Sequence, residues 1–145
     1  AKDITMKTNF KIIRRALLLL ACLASFSFAS AVKPSQAIIN LVKSDIQQAQ
    51  YQLPAQADYC LEVTKIWYIP ESYTIAYKYV YCMNIEKPSN NAIYEMKQSV
   101  VHMLKAQPNS KDMTYLTNGI TFHYNYYNPD GTFLYAVKIT PADVK

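Results

Sequence analysis

Three cysteines, two histidines and a series of evenly spaced tyrosines are the side chains of this 145-residue sequence with the chemistry to react or to bind. Cys60 and Cys82 form the best constellation. They bracket two runs of period two that meet at Pro70-Glu71-Ser72. With the turn centred on Glu71, the two cysteines stand directly opposite each other, on one face, at the open end of a hairpin. Closely paired cross-strand positions bring Cβ atoms near the separation of about 3.8 Å that a disulfide needs. A cysteine pair in an exported domain is normally oxidised. Two free thiols or a metal pair are the alternatives, and the metal pair lacks any His or acid at ligand spacing.

The other reactive types are sparse. His102 sits beside Met103 in a helical pattern, and His123 alternates out of an apolar strand face. Both read as solvent-facing or hydrogen-bonded structural histidines. No serine has a nucleophile-elbow context and no glycine-rich phosphate loop exists, so the chain reads as a non-enzyme without cofactor or metal. Tyr77, Tyr79 and Tyr81, and again Tyr124 and Tyr126, have the spacing of one sheet face. They read first as packing beneath helices and second as an aromatic platform for a glycan or a protein. Tyr68, Tyr73 and Tyr127 lie near turn ends or on the opposite parity, and are the better candidates for an exposed binding surface.

The compartment follows from the N-terminal residues. Residues 1–5 precede an internal Met6 and read as an upstream extension or scar. Lys7, Lys11, Arg14 and Arg15, an apolar run from Ala16 to Phe28, and the small residues Ala29-Ser30-Ala31 have the order of a signal sequence over 6–31, cut before Val32. Two other routes remain open. Leu19-Leu20-Ala21-Cys22 approximates a lipobox, which would make Cys22 a lipidation site; the apolar run could also stay as an uncleaved anchor. The formal charge of +5 is misleading, because five of the 15 basic residues precede the cut. Residues 32–145 keep ten lysines, no arginine and nine acids, which disfavours nucleic acid as a partner.

These candidates need elements to position them. Ser35 reads as the N-cap of a first amphipathic helix, with Ile38, Leu41, Val42, Ile46 and Ala49 as its apolar stripe and Leu53-Pro54 as its stop. Leu61, Val63, Trp67 and Ile69 share one face of the strand that follows, against Glu62 and Thr64. The next strand runs from Tyr73 to Cys82. A second helix follows the 87–91 loop, with Ile93, Met96, Val100, Met103 and Leu104 at helical spacing before Pro108. Asp112 to Leu116 adds one short turn, and Asn118-Gly119 closes it. Ile120 to Tyr126 and Phe133 to Ile139 form a second hairpin around Asn128-Pro129-Asp130-Gly131. The order is α-ββ-α-ββ. The expected α+β fold is one domain over 32–145, a four-stranded antiparallel sheet with both helices on one face. All 13 tyrosines fall in that domain.

The domain resembles a loose group of small exported bacterial proteins of uncharacterised function. The residues that carry the resemblance are Leu53-Pro54, Tyr77-x-Tyr79, and the ending from Gly119 to Asp143 with Tyr124-x-Tyr126, Asp130-Gly131 and Val137-x-Ile139. Such proteins often carry one Cys after the second helix and another after the last strand. This chain has neither, so their disulfide does not transfer. The resemblance implies a compact periplasmic α+β domain and no known activity. The expected function is a non-catalytic binding or inhibitor-like module, periplasmic, secreted or at the cell surface, with a protein or glycan of the envelope as partner. The alternative is an envelope accessory or structural protein held at a membrane by its N-terminal segment.

Overall fold

The computed structural model describes residues 32–145. Three serines start its α-helices. Ser35, Ser89 and Ser110 are each extended in backbone and accept a hydrogen bond from the N–H three residues on, at 3.3, 3.1 and 3.3 Å. This satisfies one of the amides that a helix start leaves free. The helices are α1 (Gln36–Gln50), α2 (Asn90–Ala106) and α3 (Lys111–Thr117). The single turn expected over 112–116 is therefore a short helix, and Met113, Tyr115 and Leu116 are its buried residues. Gly119 follows in the left-handed region at φ +95°.

The sheet has five strands in sequential order: β1 (Ala55–Asp58), β2 (Leu61–Ile69), β3 (Thr74–Tyr81), β4 (Thr121–Tyr127) and β5 (Phe133–Ile139). It is mixed, not purely antiparallel, and it has one strand more than expected. β3 and β4 pair in parallel, from Thr74↔Thr121 to Val80↔Tyr127. The reason lies in the connection. The 82–120 segment contains α2 and α3, which carry the chain back to the end where β3 began, and a crossover of this kind yields a parallel pair. β1 has only four residues, Ala-Gln-Ala-Asp, without a large or β-branched apolar side chain, and pairs with β2 through an irregular register.

A bulge in β2 changes which side chains face the helices. Near the turn, Tyr68 pairs with Ile75 and Ile66 with Tyr77; beyond Thr64, Val63 pairs with Tyr79 and Leu61 with Tyr81. The extra residue inverts the alternation. Leu61, Val63, Ile66 and Tyr68 share the helix-facing side, while Trp67 and Ile69 turn to the other. The expected face of Leu61, Val63, Trp67 and Ile69 is corrected accordingly. Tyr68, expected at the surface, packs against the core together with Tyr73.

The core lies between the helices and one sheet face. Val42 and Ile46 of α1, Val101 and Leu104 of α2 and the buried residues of α3 meet Ile75, Phe122, Tyr135, Val137 and Ile139. Phe122, Tyr135 and Val137 are buried. Tyr77, Tyr79 and Tyr124, on the same side, are only half-buried, because the helix layer does not close over them. After β5, the 3-10 turn Pro141–Val144 returns to α2, where Asp143 pairs with Lys97 at 2.8 Å.

Candidate functional site

The parallel pairing of β3 with β4 is what builds the site. It aligns two Tyr-x-Tyr runs in the same direction, so that Tyr77 faces Tyr124 and Tyr79 faces Tyr126. Their ring centroids are 5.1 and 5.0 Å apart. β5 extends the row: Tyr126 stacks on Tyr135 at 4.5 Å with the planes 13° apart. Offset contacts at these distances stabilise aromatic pairs beyond their burial. The Tyr81 and Tyr135 hydroxyls are 2.7 Å apart, and the Tyr135 hydroxyl donates to the Met96 sulfur on α2 at 3.7 Å.

A cleft of about 420 Å³ opens above the far end of this row. Tyr81, Tyr126 and Tyr135 form its floor, Met96 one wall, and Asp58, Tyr59, Cys60 and Leu61 the other. Tyr59 stands at the rim, 92% exposed. The volume lies in the range of ligand-binding clefts, and the lining is mostly apolar with a few hydroxyls. Cys60 and Cys82 are disulfide-bonded beside it, with Cα atoms 5.0 Å apart and the Cys82 N–H donating to the Cys60 carbonyl at 3.1 Å. The covalent link holds β2 and β3 at a fixed separation at the mouth of the cleft. A smaller cleft of about 120 Å³ lies at the other end, between α1, α3 and Tyr77. There the Tyr115 hydroxyl donates to Asp45, and Lys111 pairs with the same carboxylate at 2.9 Å.

The electrostatics restrict what the row can do. Burial, followed by the charge of Asp112, pushes the Tyr77 phenol far above its ordinary value, and burial with neighbouring phenols does the same for Tyr124 and Tyr126. A catalytic base or nucleophile needs a value near the working pH. These phenols stay protonated at neutral pH and present a row of packed rings. No group of three or more His, Cys, Asp or Glu side chains among the described residues could hold a metal ion.

The residues expected to bind are dispersed. Tyr68 and Tyr73 lie at the turn end of the β2–β3 hairpin against the core. The buried Tyr68 hydroxyl has no hydrogen-bond partner among the described residues. Tyr127 lies on the opposite sheet face, edge-on to Phe133 at 5.4 Å. Cys22 falls outside the described residues. His102 is exposed on α2, and His123 sits on the face away from the helices, where burial and Lys138 hold its imidazole below the ordinary value. Asp58 and Tyr59 line the cleft without any signal in the sequence, because nothing there marks β1. Met96 and Tyr135 were visible only as members of apolar stripes.

No family model matches this sequence, and neither does any curated protein. Solved structures do match. The pilotin EpsS of the Vibrio vulnificus type 2 secretion system superposes with a TM-score of 0.54 at 13% identity, covering 76% of this chain and 94% of that one. The Vibrio cholerae type II secretion pilotin AspS gives 0.53 at 19% identity, over 74% and 93%. A protein described as secreted, from Pseudomonas aeruginosa, gives 0.51 at 8% identity, over 75% and 94%. The fold is shared with bacterial secretion pilotins. At these identities the likeness establishes the fold alone.

Proposed function

We propose that this domain is a non-catalytic accessory of a protein-secretion machine in the bacterial envelope, and that it binds a peptide segment of another subunit in the tyrosine-floored cleft. The observation that carries the reading is this cleft: aromatic, held by a disulfide, and left open by the helix layer. Its stacked rings and stapled strands are ordered before binding, so little side-chain freedom is lost when a partner is seated. The shared pilotin fold supports an accessory more than a free inhibitor. Export agrees with a disulfide and with the 6–31 signal. Membrane attachment would come through Cys22 or an uncleaved N-terminal segment.

The test places a photo-crosslinking residue at Tyr59 in the producing bacterium and identifies the adduct by mass spectrometry. A secretion-machine subunit supports the proposal. Cross-links to glycan alone, or to no protein, overturn it. A partner seated in the cleft would cover the Tyr59 ring, so Tyr59→Ala should weaken the isolated complex by about 1 kcal/mol or more, and should not unfold a domain from which that ring already projects. N-terminal sequencing and intact mass decide attachment: a start at Val32 means release, and a lipid-bearing Cys22 means a tether.

A further inference from the structure

The sheet face turned away from the helices is built in rows. The bulge at Thr64 and the parallel β3–β4 register place Lys65 directly opposite Lys78, with Asn125 and Ala136 continuing the row. The next row is Trp67, Ala76, His123 and Lys138; on the other side lie Val80, Tyr127 and Phe133. Lys65, Lys138 and Phe133 are exposed, and Trp67, Lys78, His123 and Tyr127 are half-buried. Glu62, at one end, is the sole acid among the strand residues of this face. None of the three lysines joins an ion pair among the described residues.

Like charges directly opposite on paired strands destabilise a sheet. Here the ammonium groups turn to aromatic neighbours: Lys65 lies 5.2 Å from the Trp67 ring centroid and Lys78 4.9 Å from that of Tyr127. A cost retained in this way, with Glu62 on the same face forming no ion pair with either lysine, marks a surface shaped by what it meets. Cations flanked on both sides by Trp, Tyr and Phe match the two layers of a membrane interface, where phosphate groups overlie the first apolar carbons. The absence of arginine from residues 32–145 argues against a reader of nucleic acid, which relies on the guanidinium fork.

We propose that this face docks on the surface of an anionic phospholipid bilayer, with Lys65, Lys78 and Lys138 among the headgroups and Trp67, Tyr127 and Phe133 at the boundary with the acyl chains. The proposal is independent of what fills the cleft on the opposite side. It also differs from anchoring by the N-terminus, because an anchor would ignore lipid charge.

Vesicle co-sedimentation with the processed protein purified from the producing cells tests it. Wild type should bind vesicles containing phosphatidylglycerol far more tightly than phosphatidylcholine alone, and should be released by salt. Lys65→Glu with Lys78→Glu should weaken this binding by roughly tenfold or more. Lys43→Glu with Lys105→Glu, an equal change of net charge on the helices of the opposite side, should leave it within about twofold. Folding does not confound the result. Lys65→Glu alone exchanges the contact with Trp67 for an attraction to Lys78, so its melting temperature should stay within a few degrees of wild type while its vesicle binding falls. Equal binding to both vesicle types, equal loss in the control pair, or equally tight binding of single-stranded DNA or dextran sulfate would each overturn the proposal.

Discussion

Asp45 is held by two groups that differ in how much they depend on its charge. Desolvation pushes its carboxyl up, but the Tyr115 hydrogen bond and the Lys111 ammonium together outweigh this and bring it below the ordinary value of 3.8. A lowered carboxyl stabilises the folded state above its unfolded value, and that contribution fades as pH falls through the folded value. Tyr115 is 3% exposed, so Tyr115→Phe keeps the packing and removes the hydroxyl. It should cost about 1–2 kcal/mol at neutral pH. Urea unfolding repeated at stepwise lower pH, through and below the ordinary carboxylate value of 3.8, should show a shrinking gap, because protonation removes what the carboxylate contributes in wild type. A gap that stays constant with pH would mean that the hydroxyl acts through packing alone. The disulfide is the other residue-scale claim. Its cysteines are 22 residues apart, for which loop closure gives roughly 3 kcal/mol in the chain-entropy model. Unreduced, unfolded protein covering 32–145 should show no free thiol, and Cys82→Ala should lower the melting temperature without abolishing the fold. Two free thiols would remove the staple and weaken the case for export.

Elements with local chemical markers were legible in the sequence. Ser35 and the 87–91 loop announced helix starts, alternating apolar residues announced β4 and β5, and Asn128 to Gly131 announced their turn. What escaped had no local marker. Thr64 is an ordinary strand residue, and only the pairing with Lys78 and Tyr79 shows that it is supernumerary. From that one position follow the inward turn of Tyr68 and the outward turn of Trp67. The direction of β4 beside β3 depends on how α2 and α3 pack, which is a tertiary property. The cleft inherits both difficulties, since its floor needs the parallel register and its wall needs β1. Glycine was easier to read. A Cβ at Gly119 would lie 2.0 Å from the Val32 carbonyl oxygen, at a φ of +95°. Gly131 has a similar φ of +89° but open space around it. Gly131→Ala should therefore cost only the backbone strain, about 1 kcal/mol, whereas Gly119→Ala should cost about 2 kcal/mol or more because the N-terminal segment must move. Thermal unfolding of the two variants checks this, and equal losses would show that the Val32 contact yields freely.

Ten lysines and nine acids nearly cancel over residues 32–145, yet the open sheet face departs from that balance. Asp45, Asp58 and Asp112 border the clefts on the helix side. Lys65, Lys78 and Lys138 occupy the open sheet face. A net charge near zero therefore conceals one sheet face that carries three lysines and a single acid, Glu62, behind a helix side on which Lys97 and Lys111 pair with Asp143 and Asp45. If the proposed assignments hold, they must also respond differently to salt. The cleft binds chiefly through rings, Met96 and Leu61, whose attraction salt does not screen. The lysines act on headgroups through solvent-exposed charge, and the Debye length shrinks from about 10 Å at 0.1 M to about 3 Å at 1 M. Raising salt to about 1 M should strip protein starting at Val32 from anionic vesicles while the Tyr59 cross-link to its partner persists. The substitutions should separate in the same way, since groups on opposite sides of a sheet share no partners and their effects add to within about 0.5 kcal/mol. Lys65→Glu with Lys78→Glu should leave the cross-link yield unchanged, and Tyr59→Ala should leave vesicle binding unchanged. Loss of both activities in either variant would show a single continuous surface, and the division of labour between the two faces would have to be abandoned.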